Sequence, residues 1–418
     1  MILSDARRPR PLANFPTHRG ANQPASPLFD VFWRRLAANW TWGRLTLKLP
    51  DGSQRALTGR EAGHSAELTV SDYRFAVRVL KSGDIGFAEG YMAGEWDTPD
   101  LAVLLETLVH NYEHIRRLYD GSRMIQAVNW LGNKLNRNSR SGARRNIHAH
   151  YDLGNAFYQA WLDPSMTYSS ARFEEPGQLL EEAQRVKYRS LARMMELQPG
   201  HSVLEIGCGW GGFAEFAARE VGAVVTGITI SREQYEFARR RMFAAGLAER
   251  ADIRLVDYRD IEGQFDRVAS IEMFEAVGRE YWPAFFGKLH NVLKPAGRAG
   301  LQMITIQGDL FDGYAARADF IQKYIFPGGF LPSESMVSPI IAQADLRWEK
   351  VERFGGDYAD TLAQWARRFE AAWEEVRAQD ERFDESFRRL WRFYLAFCEA
   401  GFRSARTDVI QLSLARAA

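Results

Sequence analysis

The clearest chemical signal in the chain is an eleven-residue run, Val203-Leu204-Glu205-Ile206-Gly207-Cys208-Gly209-Trp210-Gly211-Gly212-Phe213, in which an apolar strand enters a glycine-rich turn and then a helix. Glycines there let the backbone turn tightly and approach a ligand at the carboxyl end of a first strand, where open α/β sheets bind their ligands. Gly207, Gly209 and Gly212 satisfy the G-x-G-x-x-G spacing, which alone does not separate one cofactor from another. A nicotinamide cofactor would call for an acid on its ribose at the end of the second strand. Gly227-Ile228-Thr229-Ile230-Ser231-Arg232-Glu233-Gln234 stands there instead, which argues against a nicotinamide cofactor and leaves glycine-rich packing without a cofactor as the alternative.

The elements that must position this turn follow from hydrophobic periodicity. Residues 202–206, 223–228, 252–256, 265–271 and 298–306 read as strands, separated by helical patterns around 212–220, 231–246 and 281–293. Two more strand candidates, 348–354 and 409–414, flank long helical patterns near 359–379 and 384–403. The alternation predicts an α/β fold with a doubly wound parallel sheet of seven strands. Upstream, Leu45-Thr46-Leu47-Lys48-Leu49 alternates like a strand and ends at the turn signal Pro50-Asp51-Gly52, with helices near 71–82 and 98–117. That predicts a small N-terminal α+β domain.

Composition bounds the function classes. With 418 residues, 46% apolar and 26% charged residues and a net charge of +1, the chain is globular, needs more than one core, and has no global charge that would name a nucleic-acid partner. Two cysteines, Cys208 and Cys398, lie far apart in apolar segments and exclude a disulfide scaffold or a cysteine metal site. No stretch is long and apolar enough for a spanning helix and no signal-peptide core is present, so a cytoplasmic protein is expected. Residues 1–27 have the proline- and arginine-rich composition of a flexible tail. The stretch 121–148 has no acid but carries Arg123, Lys134, Arg137, Arg140, Arg144 and Arg145. It is either a solvated linker or a contact for anionic headgroups, with Met124, Ile125, Val128, Trp130 and Leu131 as an interfacial apolar face. The expected layout is a 28–120 domain, the 121–148 linker and a catalytic domain over 149–418.

Several further runs carry a resemblance. His150-Tyr151-Asp152-Leu153-Gly154-Asn155, Met166-Thr167-Tyr168-Ser169, the turn at Glu205–Gly212, Gly227–Gln234, Asp257-Tyr258-Arg259-Asp260, Met273-Phe274-Glu275 and Ile325-Phe326-Pro327-Gly328-Gly329 resemble, in this order, the cyclopropane-fatty-acyl-phospholipid synthase and mycolic acid methyltransferase family. Phe87-Ala88-Glu89-Gly90-Tyr91-Met92-Ala93-Gly94-Glu95-Trp96 extends it more loosely into the N-terminal unit. The resemblance implies a class I methyltransferase sheet, S-adenosylmethionine as cofactor, an unsaturated acyl chain of a membrane phospholipid as substrate, peripheral contact with the cytoplasmic membrane face, and an N-terminal domain that binds lipid, dimerises, or both. It places Tyr168, Ser169, Leu204, Glu205, Gly207, Cys208, Gly209, Trp210, Gly211, Gly212, Thr229, Ile230, Gln234, Asp257, Tyr258 and Arg259 around the cofactor. Thr229 and Gln234 are suited to its ribose and amino-acid portions, and Tyr258 to its adenine unless that ring serves packing alone.

Methyl transfer to an alkene needs an in-line, dry arrangement, aromatic faces and an anion to stabilise the resulting carbocation, and a base to take one proton. The 13% aromatic content concentrates in 150–173, 272–286 and 324–330. By the resemblance the base would be a bicarbonate ion oriented by Glu275, a backbone contact at Ile304 and the hydroxyl of Tyr358. Two positions depart: Ser170 replaces the usual cysteine and Gln302 the usual histidine, and neither titrates near neutrality. These departures argue against bicarbonate and for a methyl or methylene branch rather than a cyclopropane ring. Cys398 aligns with a cysteine once assigned to catalysis, but its apolar helical setting favours a structural thiol. The competing classes are a catalytically silent lipid-binding homologue and a small-molecule methyltransferase, for which Glu275 and the basic linker would have no task.

Overall fold

The computed structural model describes residues 27–115 and 153–417. The expected tail, the 121–148 basic stretch and His150–Asp152 lie outside the described residues. Contacts divide the chain into two compact units, one holding the N-terminal residues together with Glu370–Ser404, the other holding the preceding chain through Phe369 and then Ala405 onward.

In the N-terminal unit, β1 (Trp42–Lys48), β2 (Gln54–Thr58), β3 (Glu61–Val70) and β4 (Trp96–Asp97) form a sheet in the order β2-β1-β3-β4. β1 and β2 are an antiparallel hairpin whose turn is held by Asp51, whose Oδ1 accepts from the backbone N and the hydroxyl of Ser53. The helices α1 (Pro27–Ala38), α2 (Arg74–Met92) and α3 (Leu101–His110) accompany the sheet. Another is contributed from far along the chain: α11 (Glu385–Arg403) packs on α2 and α3. This differs from the expected 149–418 catalytic domain. The reason is visible in α11 itself, where Phe387, Leu390, Trp391, Tyr394 and Leu395 bury one apolar stripe. Such a stripe states that a partner exists but not which one. Arg389 fastens it: the guanidinium lies 4.0 Å over the Tyr91 ring, Nε donates to Tyr91 O at 2.5 Å, Nη2 to Trp96 O at 2.8 Å and Nη1 to Asp97 Oδ2 at 3.2 Å.

The second unit is an α/β layer structure around seven strands, β5 (Ser202–Ile206), β6 (Val224–Thr229), β7 (Ala251–Leu255), β8 (Phe265–Ile271), β9 (Leu293–Ile306), β10 (Leu346–Arg353) and β11 (Thr407–Arg416), in the order β10-β11-β9-β8-β5-β6-β7. The expected parallel sheet is in fact mixed. β7, β6, β5, β8 and β9 are mutually parallel, whereas β11 runs antiparallel to both β9 and β10. Central strands such as Val203-Leu204-Glu205-Ile206 are buried on both faces, as helix-covered parallel strands must be. The covering helices include α4 (Asn155–Trp161), α5 (Leu180–Met194), α6 (Gly212–Phe216), α7 (Arg232–Ala244), α8 (Trp282–Val292), α9 (Glu334–Gln343) and α10 (Gly355–Ala371). The helical pattern near 212–220 resolves into α6 and a wider π-turn over Ala217–Val221. Among the described residues no helix is long and apolar enough to cross a membrane.

Arg389→Ala removes three hydrogen bonds and a ring contact at once. It should cost roughly 2–4 kcal/mol of stability, seen as an earlier urea transition, and Arg389→Lys should recover little of it because an ammonium cannot reach three acceptors in one plane.

Candidate functional site

The glycine turn sits at the carboxyl end of β5. Gly207, Gly209 and Gly211 take φ of +81°, +52° and +85°, so side chains there would be strained. A Cβ at Gly207 would come within 2.7 Å of Met273 Cγ, and one at Gly212 within 2.4 Å of the Tyr188 hydroxyl, whereas one at Gly209 would meet nothing within 4 Å. The turn is thus tight on two sides and open on the third. Glu205 enters it from a fully covered strand. Burial pushes its carboxyl up to about 8, and Oε2 is buried with no hydrogen-bond partner, an acceptor suited to a cofactor ammonium group. Those features fit S-adenosylmethionine.

The neighbouring strand ends complete the cradle. Thr229 Oγ1 donates to Gln234 Oε1 at 2.9 Å, and Ser231 caps α7. Asp257 holds Arg259 through two bonds, Nε to Oδ1 at 2.8 Å and Nη2 to Oδ2 at 2.6 Å, and the guanidinium lies 5.5 Å from the Tyr258 ring, which also packs on Phe285. Trp210 Nε1 donates to Asn155 Oδ1 at 2.7 Å. The backbone nitrogens of Gly207 and Cys208 both donate to Ile228 O. Cys208 packs its buried thiol into the core beside Gly227, and its carbonyl accepts from Gly211 N, so it shapes the turn. Leu204 is a core residue in the same sense.

Five of the six expected catalytic residues meet around the end of β8. Glu275 Oε1 accepts from Ile304 N at 2.5 Å, Ser170 O accepts from Gln302 Nε2 at 3.4 Å, and Tyr358 points in from α10. What they surround is Glu272, which sequence reasoning passed over. Its Oε1 accepts from Ser170 N at 2.9 Å and Gln302 Nε2 at 2.8 Å, and its Oε2 from the Tyr358 hydroxyl at 2.7 Å. Glu272 holds φ +49°, a left-handed conformation that costs a non-glycine residue about 1 kcal/mol or more. The sixth residue, Cys398, lies on α11 in the other compact unit. The only hint to Glu272 in the sequence is an acid three residues before Glu275, directly after an apolar strand.

The two carboxylates differ electrostatically. Both keep some accessible surface yet have protein all around them, and burial raises both pKa values. Glu272 has compensation from Lys187 and three donors. Glu275 accepts from the backbone nitrogen of Ile304 on β9, is further raised by the charge of Glu272, reaches about 8, and leaves Oε2 buried with no hydrogen-bond partner. Of the two, Glu275 therefore holds its proton the more firmly, and Glu272 is the better compensated carboxylate. Aromatic rings line up beside them: Tyr358 meets Trp365 at 6.1 Å, Trp365 meets Tyr168 at 5.3 Å, and Tyr168 meets Tyr158 at 5.4 Å and Trp161 at 5.6 Å.

Comparison with known proteins agrees with this geometry. The family model described as "Mycolic acid cyclopropane synthetase" matches residues 138–412. A tuberculostearic acid methyltransferase of Mycobacterium tuberculosis is 39% identical over 353 residues, 82% of this chain and 81% of that one. The cyclopropane-fatty-acyl-phospholipid synthase of Escherichia coli is 34% identical over 390 residues, covering 90% and 94%. Among solved structures, a mycolic acid cyclopropane synthase complexed with SAH and CTAB superposes with a TM-score of 0.61 at 31% identity, over 65% of this chain and 98% of that one.

Glu275 binds a proton in the folded state over the range, from its ordinary 4.5 to about 8, in which the unfolded chain has released it. Its burial therefore costs nothing at low pH, and the cost grows by about 1.4 kcal/mol per pH unit across that window. In the cofactor-free protein Glu275→Gln should melt close to wild type at pH 5 and progressively higher than wild type towards pH 8, as followed by calorimetry.

Proposed function

Because the chain belongs to the mycolic acid cyclopropane synthetase family, whose fold and cofactor it shares as an S-adenosylmethionine-dependent methyltransferase, we propose that it methylates the double bond of an unsaturated fatty-acyl chain carried by a phospholipid and yields a branched rather than a cyclopropane product. The observation that carries this reading is the Glu272 carboxylate held by the Ser170 backbone nitrogen, Gln302 and the Tyr358 hydroxyl, where Tyr358 is a position that the resemblance assigned to a bicarbonate ion and Ser170 and Gln302 are the two that depart from it.

The cofactor, when bound, supplies an activated methyl group on a sulfonium; the protein does the rest. The rings of Tyr168, Trp365 and Tyr358 exclude water and offer π-faces to a cation developing on the acyl chain. Ionised Glu272 adds the nearby negative charge and is the base. Methyl addition to one alkene carbon leaves the cation on the other. After a hydride shift between the two carbons, Glu272 Oε takes a proton from the new methyl, the C–H electrons become a carbon–carbon double bond, and a methylene branch results. Glu275, protonated, keeps a second negative charge out of the site and orients the β9 backbone through Ile304. The phospholipid assignment takes support from the name of the Escherichia coli relative and from the apolar, aromatic character of the site.

The test is mass spectrometry of lipids made by a heterologous host, with fragmentation to tell ring from branch, paired with purified variants. Wild type should give a branch and be indifferent to removal of bicarbonate. Glu272→Gln should lose 100-fold or more in kcat. Glu272→Gly, which relieves the backbone strain and vacates a carboxylate-sized space, should be inactive alone and partly restored by added bicarbonate. A cyclopropane product from wild type, or wild-type turnover by Glu272→Gln, overturns the reading.

A further inference from the structure

One ionisable group of the second unit has no part in the chemistry so far. Lys187, on α5, is completely enclosed by protein. Its ammonium donates to Ser169 Oγ at 2.6 Å and lies 4.8 Å from the centre of the Tyr188 ring. One helical turn earlier, Gln184 Nε2 donates to Ser169 O at 3.0 Å, so α5 grips the residue next to Ser170 twice. The backbone of Lys187 extends the connection. Its carbonyl accepts from Gln411 Nε2 at 3.1 Å, and the same amide nitrogen donates to Gln302 Oε1 at 3.0 Å. With Oε1 engaged there, Gln302 must turn Nε2 to Glu272. A single residue thus anchors the amide chain that aims a donor at the base and brings a buried cation into the field of that base.

A buried ammonium with one hydrogen bond to a neutral hydroxyl is unfavourable unless anions compensate it. The acids facing Lys187 are Glu272 from the end of β8, Asp163 from the loop after α4 and Glu205 from β5, with Glu272 the strongest. Glu272 acts in turn on Glu275, Arg241 of α7 acts on Glu205 and Tyr188, and Tyr358 completes the shell of Glu272. Burial draws the lysine down and these acids partly offset it, leaving it at about 7, in the range where its charge responds to a neighbouring anion.

We propose that Lys187 is the positioning residue of the proton-transfer step, the buried counter-charge that holds Glu272 ionised and ready to accept a proton, while touching neither cofactor nor lipid itself. The proposal rests on Glu272 being the base. Its consequence is a coupled pair: the cation lowers the proton affinity of Glu272 before turnover, and once Glu272 has taken the proton the same cation favours its release from the Glu272 carboxyl to solvent, which restores the base.

Lys187→Met and Lys187→Gln, assayed for kcat between pH 5.5 and 9.5 on vesicles of unsaturated phospholipid, decide it. Both variants should move the acidic limb of the kcat profile up by about one pH unit or more, lose tenfold or more at pH 7, recover towards wild type near pH 9.5, and change KM for S-adenosylmethionine less than threefold. Lys187→Gln keeps a donor for Ser169 without the charge, so rescue by this variant, or an unmoved acidic limb in either, overturns the proposal and leaves Lys187 as a structural clamp. Should Lys187→Met fail to fold, Lys187→Gln decides alone. Glu272→Gln in the same assay separates the two readings: wild-type kcat there overturns the base assignment, whereas a loss there with an unshifted Lys187 pair overturns only the counter-charge.

Discussion

The constraint on which the second unit turns is the placement of carboxyl oxygens among apolar and aromatic side chains. A carboxylate enclosed by protein is tolerated only where donors converge on it, and the donors of Glu272 come from three separated parts of the chain: the backbone at Ser170, the β9 side chain Gln302 and the α10 hydroxyl Tyr358. Satisfying one side chain therefore ties the loop after α4, the centre of the sheet and a C-terminal helix into one arrangement. The positive φ of Glu272 belongs to the same account, since a strained backbone persists where the surrounding bonds over-determine it.

Most of the α/β frame was legible because its strands are short apolar runs between turn signals. β5 and β8 coincide with their expected spans, and the remaining strands shift by a few residues at their ends. Direction was not legible. Nothing in the residues of β11 distinguishes an antiparallel neighbour from a parallel one, since both faces are buried either way. Nor was the allegiance of α11, because an amphipathic stripe encodes the need for a partner and no more. Arg389 specifies that partner, but through carbonyls about 290 residues away, which no local pattern reveals.

The site was legible in its cast and not in its plot. Ser170, Gln302, Ile304, Glu275 and Tyr358 are brought together as the family resemblance implied, yet the two apparent departures, Ser170 and Gln302, make sense only beside Glu272. Ser170 contributes its backbone rather than its hydroxyl, which turns to Ala171 O. Gln302 contributes a donor where an anion from solution would have wanted the same. A residue whose role lies in what it replaces leaves no signature of its own type or spacing. Lys187 escaped for a different reason: a lysine in an amphipathic helix reads as a solvent-facing residue, and only the packing shows that it faces inward.

The contact between Gly207 and Met273 has a consequence for how this protein can vary. The space beside Gly207 is filled by the side chain that immediately follows Glu272, so the glycine turn and the loop that presents Glu272 are pressed against each other with no slack between them. Neither can drift alone. Variation is steered away from these two loops and towards Ser170, Gln302 and Tyr358, positions that alter how the Glu272 carboxyl is held without moving the glycine turn.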